Sequence, residues 1–158
     1  MAGPDSRDTI FALATAEGRA GVAVLRVSGP QAWNAAERLC GMLPPPRQAG
    51  LRTVRDEAGD VIDEALVLTF PSGGSFTGED VVEFQTHGSP TVVRRFLQVL
   101  GCQESLRLAD PGEFTRRAFE NGRLDLTQVE GLAGLIEAET EAQREQAMAL
   151  YSGGLRDA

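Results

Sequence analysis

The chain has 158 residues, 42% hydrophobic and 24% charged, with a net charge of −8. That suits one globular domain, or one domain with part of another, and no apolar run approaches the ~20 residues that span a bilayer. Residues 1–55 carry seven arginines against four acids, and residues 56–158 carry eight against nineteen. There is no lysine, which removes Schiff-base chemistry and the lysine of a phosphate-binding loop. So acidic a chain is a poor nucleic-acid binder by itself, because phosphate neutralisation supplies most of that affinity. The polar start Met1–Asp8 lacks the apolar core of a signal peptide, and a cytoplasmic location is expected. Cys40 and Cys102 stand in no metal or redox spacing and are expected to be two buried thiols. One histidine argues against a zinc-type site, while a carboxylate-only magnesium site stays open.

In chain order, Thr9–Thr15 reads as a short strand, residues 16–21 as a glycine turn, and Val22–Ser28 as a β-branched strand with Arg26 among apolar neighbours. Ser28 is the expected cap of a helix that Pro30 opens and that runs through Leu43 to the Pro44–Pro46 stop. Leu51–Arg55 and Val61–Phe70 read as strands about a turn at 56–60. Val81–Thr86 follows as an alternating strand, Pro90–Leu100 as an amphipathic helix and Leu106–Ala109 as a short strand. A helix runs from Asp110-Pro111-Gly112-Glu113 to Glu120, with Asp110 capping and Glu113 completing a capping box. From Gln128 to Leu150 the pattern predicts one long helix. Its narrow stripe of Val129, Leu132, Ala133 and Ile136 calls for a partner outside the compact domain.

Five places carry more polar chemistry than a core requires. Arg26 is either an outward-facing arginine or a holder of an anion or planar heterocycle. Glu83 shares a strand face with Val81 and Gln85. It is either a solvated charge or a carboxylate accepting two N–H bonds from a cyclic amidine or pterin. His87-Gly88 reads as a strand end rather than a general base, since no activated serine or cysteine accompanies it. Asp110–Arg117 offers a helix start that doubles as an anion site, and Asn121–Asp125 a turn that presents Arg123 and Asp125 outward. There is no GxxxxGK[ST] run, and Gly18-Arg19-Ala20-Gly21 lacks dinucleotide-binding spacing.

Several runs, taken in order, resemble one family. They are Asp8–Ala12, Gly18–Gly21, Leu25–Gly29, Ser75–Glu83, His87-Gly88, Pro111–Thr115 with Arg117-Ala118-Phe119, and Asn121–Leu126. Together they are similar to the N-terminal domain of tRNA modification GTPases of the MnmE (TrmE) type, over essentially residues 8–150. The resemblance implies an α/β fold with a mixed (α+β) sheet, similar to the tetrahydrofolate-binding domains of aminomethyltransferases. It implies a folate-binding and dimerisation domain at 1–120 and, at 121–158, the first helix of a truncated helical domain.

The implied cofactor is 5-formyl- or 5,10-methylene-tetrahydrofolate, the one-carbon donor for C5 aminomethyl or carboxymethylaminomethyl modification of the tRNA wobble uridine. Implied partners are a second copy of the chain, the flavoprotein MnmG (GidA) and tRNA, with no membrane. GTP, Mg and K belong to an absent GTPase domain, so the chain alone is not expected to be catalytic. By position, Arg26, Glu83 and Arg123 match the family's folate contacts. Arg123 stands where lysine is frequent, and His87-Gly88-Ser89 differs from the usual His-Gly-Gly. A free-standing aminomethyltransferase-like module and a ligand-free dimerisation scaffold are the alternative readings.

Overall fold

The computed structural model describes residues 8–156; the polar segment 1–7, read above for signal-peptide character, lies outside them. The described residues pack as two units, one taking in 8–75 and 79–111, the other 76–78 and 112–156. No helix among them is long and apolar enough to cross a membrane.

The first unit contains β1 (Thr9–Leu13), β2 (Val22–Ser28), α1 (Ala32–Cys40), β3 (Gly50–Arg55), β4 (Val61–Phe70), β5 (Val81–His87), α2 (Pro90–Gly101) and β6 (Leu106–Leu108). The strands form one mixed sheet in the order β3-β4-β5-β2-β1-β6. Every neighbouring pair is antiparallel except β1 with β6. Alternation decides the faces. Phe11, Leu25, Val27, Val67, Val82 and Phe84 pack with Ala32, Ala36 and Leu39 of α1 and Phe96 and Leu100 of α2 in one core. The intervening positions, Val24, Arg26, Leu68, Glu83 and Gln85, are only half-buried. The sheet is thus helix-covered on one face, and the other retains its polar residues.

Two turns differ from expectation. Ser28 does not cap α1. It is fully buried in β2 and its hydroxyl donates to Glu79 Oε1 at 2.8 Å. Gly29 takes φ +140°, and a Cβ there would meet Thr9 Cα at 2.6 Å. The chain therefore turns against β1, Thr9 Oγ1 accepts the Gln31 N–H at 2.8 Å, and the helix begins only at Ala32. It ends at Cys40, short of Leu43, because Gly41 adopts φ 76° and its N–H returns to the Glu37 carbonyl. The expected pair of buried thiols is corrected too. Cys102 is exposed and Cys40 half-buried. Burial raises the Cys40 thiol above its ordinary pKa, opposed by the nearby charge of Arg52.

Asp56 governs the β3–β4 turn. Its Oδ1 accepts the N–H groups of Ala58 and Asp60, and its Oδ2 accepts from Arg95 Nη2 of α2 at 2.7 Å. The Arg95 bond, with the Asp60 N–H second, holds this carboxyl below the usual aspartate range.

The second unit contains α3 (Glu113–Glu120), α4 (Leu126–Glu137) and α5 (Glu141–Arg156). α3 starts at Glu113 and not at Asp110: Gly112, left-handed at φ 74°, is the residue before it and supplies no side-chain cap. Glu113 is instead buried and accepts from Arg117 Nη2 at 3.1 Å, with Arg117 fully buried beside it. The single helix expected over 128–150 is two helices. Ala138 leaves helical geometry at ψ 129°. Thr140 and Gln143 then form a reciprocal cap, Gln143 N–H to Thr140 Oγ1 and Thr140 N–H to Gln143 Oε1. The two helices fold back on each other through glycines. A Cβ on Gly131 would meet Tyr151 N at 2.5 Å and Ala147 O at 2.8 Å, and one on Gly134 would meet Ala147 Cβ at 3.0 Å.

The buried Glu113–Arg117 pair yields a stability prediction. Glu113→Ala removes a buried carboxylate to which Arg117 donates and should cost about 3 kcal/mol, because breaking a buried ion pair by deleting one partner is strongly destabilising. Joint replacement, Glu113→Leu with Arg117→Met, should recover most of that loss. Urea unfolding midpoints of the three proteins measure both effects; additive losses in the double variant would contradict the pairing.

Candidate functional site

The site begins with strand register. β2 and β5 pair antiparallel without interruption from Val22↔His87 to Ser28↔Val81, which sets Arg26 directly opposite Glu83. Arg26 Nε donates to Glu83 Oε2 at 3.0 Å, and the side chains remain 24% and 21% exposed. Each residue is the other's cross-strand partner on a half-exposed face, and both the outward-facing and the ligand-holding readings stay open. Leu68 lies beside Glu83 on β4, and Val24 and Gln85 form the next pair on that face. The result is a planar donor–acceptor pair on a half-buried, partly apolar floor.

Three hydrogen bonds stabilise the entry to β5. Ser75 Oγ donates to the Glu79 carbonyl, and Asp80 Oδ1 accepts the Ser72 N–H at 2.9 Å. The Gly29 N–H bonds the Asp80 carbonyl at 2.9 Å. Asp80 and Glu79 thus order the loop.

At the other end of β5, His87 does have a carboxylate partner, which the sequence reading did not find. Asp63 Oδ2 accepts the His87 backbone N–H at 2.9 Å, and Asp63 Oδ1 lies 2.8 Å from Nδ1. Nothing in the sequence marked Asp63, because the pairing depends on strand packing across 24 residues. His87 lines a cleft of about 510 Å³ with Arg19, Gly21, Ser89 and Thr91.

Arg123 belongs to the second unit and is exposed. Its backbone is fixed by N–H donation to the Ala118 carbonyl at 2.7 Å, one residue after Gly122 at φ 72°. Its stem runs past Gly78, where a Cβ would stand 3.3 Å from Arg123 Cγ and 2.9 Å from Asn121 Cβ. Asn121 Nδ2 donates to the Thr77 carbonyl at 2.8 Å. Asp125, read as projecting from the turn, is the N-cap of α4, accepting the Gln128 N–H at 2.7 Å while Gln128 returns to the Asp125 N–H. The structure therefore joins Arg26 to Glu83 and holds Arg123 in a separate packing unit. Among the described residues no cluster of three or more metal-ligating side chains occurs.

Residues 9–123 match the family model described as GTP-binding protein TrmE N-terminus. The chain belongs to this family. It is 62% identical over 148 residues to a protein of Roseobacter denitrificans named tRNA modification GTPase MnmE, covering 94% of this chain and 35% of that one. Proteins of the same name from Dinoroseobacter shibae and Rhizobium meliloti are 62% and 55% identical, each again over 94% of this chain and 34% of theirs. The chain thus spans about a third of the length of these relatives. All three residues matched by position, Arg26, Glu83 and Arg123, fall within the family segment.

The Arg26–Glu83 contact should be measurable as coupling. A double-mutant cycle with Arg26→Ala and Glu83→Ala should give about 1 kcal/mol, reduced from the buried-pair range because water reaches both groups. Chemical unfolding of the four proteins provides the test, and a coupling of zero would mean that the pair does not persist in solution.

Proposed function

We propose that this chain holds a reduced folate, 5-formyl- or 5,10-methylene-tetrahydrofolate, and pairs with a second copy of itself. The observation that carries the folate reading is the Arg26–Glu83 pair on the sheet face opposite α1 and α2. A carboxylate accepts from the amidine N–H groups of a pterin, while a neighbouring guanidinium donates to the adjacent carbonyl, so this donor set fits the pterin edge. Glu83 would hold the amidine side, Arg26 the carbonyl side, and Arg123 a polar or anionic part of the cofactor. When bound, the folate supplies a one-carbon unit; the residues named here bind and orient it. The fold would then be one shared with the folate-binding domains of aminomethyltransferases.

On this reading the parent protein is a cytoplasmic tRNA modification GTPase. It would build an aminomethyl or carboxymethylaminomethyl group at C5 of the wobble uridine, with MnmG as flavoprotein partner. The relatives' shared name and the family match support this. GTP with Mg and K would be bound elsewhere in the parent, since this chain has neither lysine nor a phosphate-binding loop. Self-association is supported by exposed Leu51 and Leu66, which pair across β3 and β4 and leave apolar surface uncovered near a sheet edge.

Two measurements test the proposal. Calorimetry should show binding of 5-formyltetrahydrofolate. Glu83→Ala should weaken it by about 2 kcal/mol, roughly 30-fold, and Asp80→Ala by much less, because Asp80 is committed to the loop. Equal affinity of the folded Glu83→Ala protein and the wild type would remove Glu83 from the site. Light scattering at tens of micromolar, an order at which weak interfaces begin to dissociate, should give the mass of a dimer. A dimer that binds no folate would leave only a scaffold.

A further inference from the structure

We propose that Arg19 clamps the glutamate carboxylates of the bound folate, with His87 lining the same subsite. This rests on the folate reading and extends it to the other end of the ligand. The register pairs Arg26↔Glu83, Val24↔Gln85 and Val22↔His87 in alternation, so these six residues share one face of β2 and β5. From Glu83 to His87 is four residues, about 13 Å at the usual strand rise. A ligand whose planar amidine edge meets Glu83 and whose long axis follows the strands passes over Val24 and Gln85. It arrives at the His87 cleft. Folate has the matching order of parts: a pterin, then an aromatic ring of modest polarity, then a glutamate that is anionic.

The cleft is built to receive an anion. Arg19 is exposed and makes no hydrogen bond or ion pair with any described residue. Arg26, Arg47, Arg52, Arg55, Arg95 and Arg107, by contrast, each have a partner within the unit. The loop carrying Arg19 is docked by backbone, with the Ala20 N–H on the Gly88 carbonyl and the Gly88 N–H on the Gly21 carbonyl, both at 3.2 Å. Gly88 is required for this docking, because a Cβ there would stand 2.2 Å from the Ala20 carbonyl oxygen. Arg19 therefore projects from a fixed base while its guanidinium stays available. His87 lines the same cleft; Asp63 holds its ring through Nδ1, so Nε2 is the ring atom left for a ligand, an acceptor in the neutral ring and a second donor in the charged one. The cleft of about 510 Å³ has room for the glutamate group.

The test is a ligand series rather than a single affinity. Calorimetry on the 158-residue chain would compare 5-formyltetrahydropteroate, which lacks glutamate, with 5-formyltetrahydrofolate and its triglutamate. Wild type should bind the glutamate-bearing ligands roughly fivefold more tightly than the pteroate, the range of an exposed charge-assisted contact. Arg19→Ala should erase that preference, and Arg19→Lys should restore part of it by keeping the charge. A general structural defect would instead lower all three affinities together. The proposal is overturned if Arg19→Ala retains the preference for glutamate or weakens the pteroate equally. If the wild type binds none of the three ligands, the folate reading itself falls, and this inference with it.

Discussion

The uninterrupted antiparallel pairing of β2 with β5 is the constraint from which the rest follows. Side chains alternate faces along a strand, so a slip of one residue would turn Leu25, Val27, Val82 and Phe84 out of the core. It would also send Arg26 and Glu83 into contact with α1 and α2. The apolar set holds the register because its burial is worth about 25 cal/mol per Å². The polar pair gains its geometry as a consequence, not as the cause. Register energy is thus what aligns two weakly interacting charges on the face opposite α1 and α2, and the charges add little stability of their own.

Most of the sheet was legible because strand signals there are local. Val22–Ser28 and Val61–Phe70 are β-branched runs closed by turn residues, and both appear as strands at those bounds. The same alternation correctly separated Glu83 and Gln85 from Val82 and Phe84. What could not be read was any interaction set by pairing between distant segments. Asp63 meets His87 only because β4 lies beside β5, and Ser28 meets Glu79 only because the loop before β5 folds over the end of β2. A serine before a glycine-proline step is an ordinary cap signal. Here the close approach of Gly29 to Thr9 overrode it.

The helical errors have a common origin. Asp110 and Glu113 have the spacing of a capping box, but the helix starts only at Glu113, which is buried against Arg117 one turn along. In the last segment the pattern predicts one helix over 128–150, although Thr140 and Gln143 carry the sequence of a reciprocal cap, a threonine followed three residues on by a glutamine. The two glycines of α4 were a further signal. Gly131 and Gly134 lie three apart on one helical face, and glycine inside a helix costs ~1 kcal/mol relative to alanine. Close approach to Ala147 and Tyr151 offsets that cost. That approach runs along Gly131 and Gly134, not along the stripe of Val129, Leu132, Ala133 and Ile136, of which Ala133 and Ile136 stay exposed.

The electrostatic arrangement of the face opposite α1 and α2 also explains why so acidic a chain can present an anion-accepting groove. Of the charged residues on β2 and β5, Glu83 is already paired by Arg26, and the carboxylate nearest His87, that of Asp63, is engaged by two N–H-bearing nitrogens of that residue. Residues 56–111 hold ten acids against three arginines and residues 112–158 nine against five, so the excess acids are spread over both units. Glu83 is the one carboxylate on β2 and β5 and is paired with Arg26, while the Asp63 charge is hydrogen-bonded by His87 and cancelled only when that ring is protonated. Screening over about 8–10 Å at ordinary ionic strength then limits the reach of distant exposed carboxylates. Net charge describes how the whole chain meets a polyanion. The recognition of a small ligand depends instead on the few groups within a Debye length, and on these two strands those groups are paired or cationic.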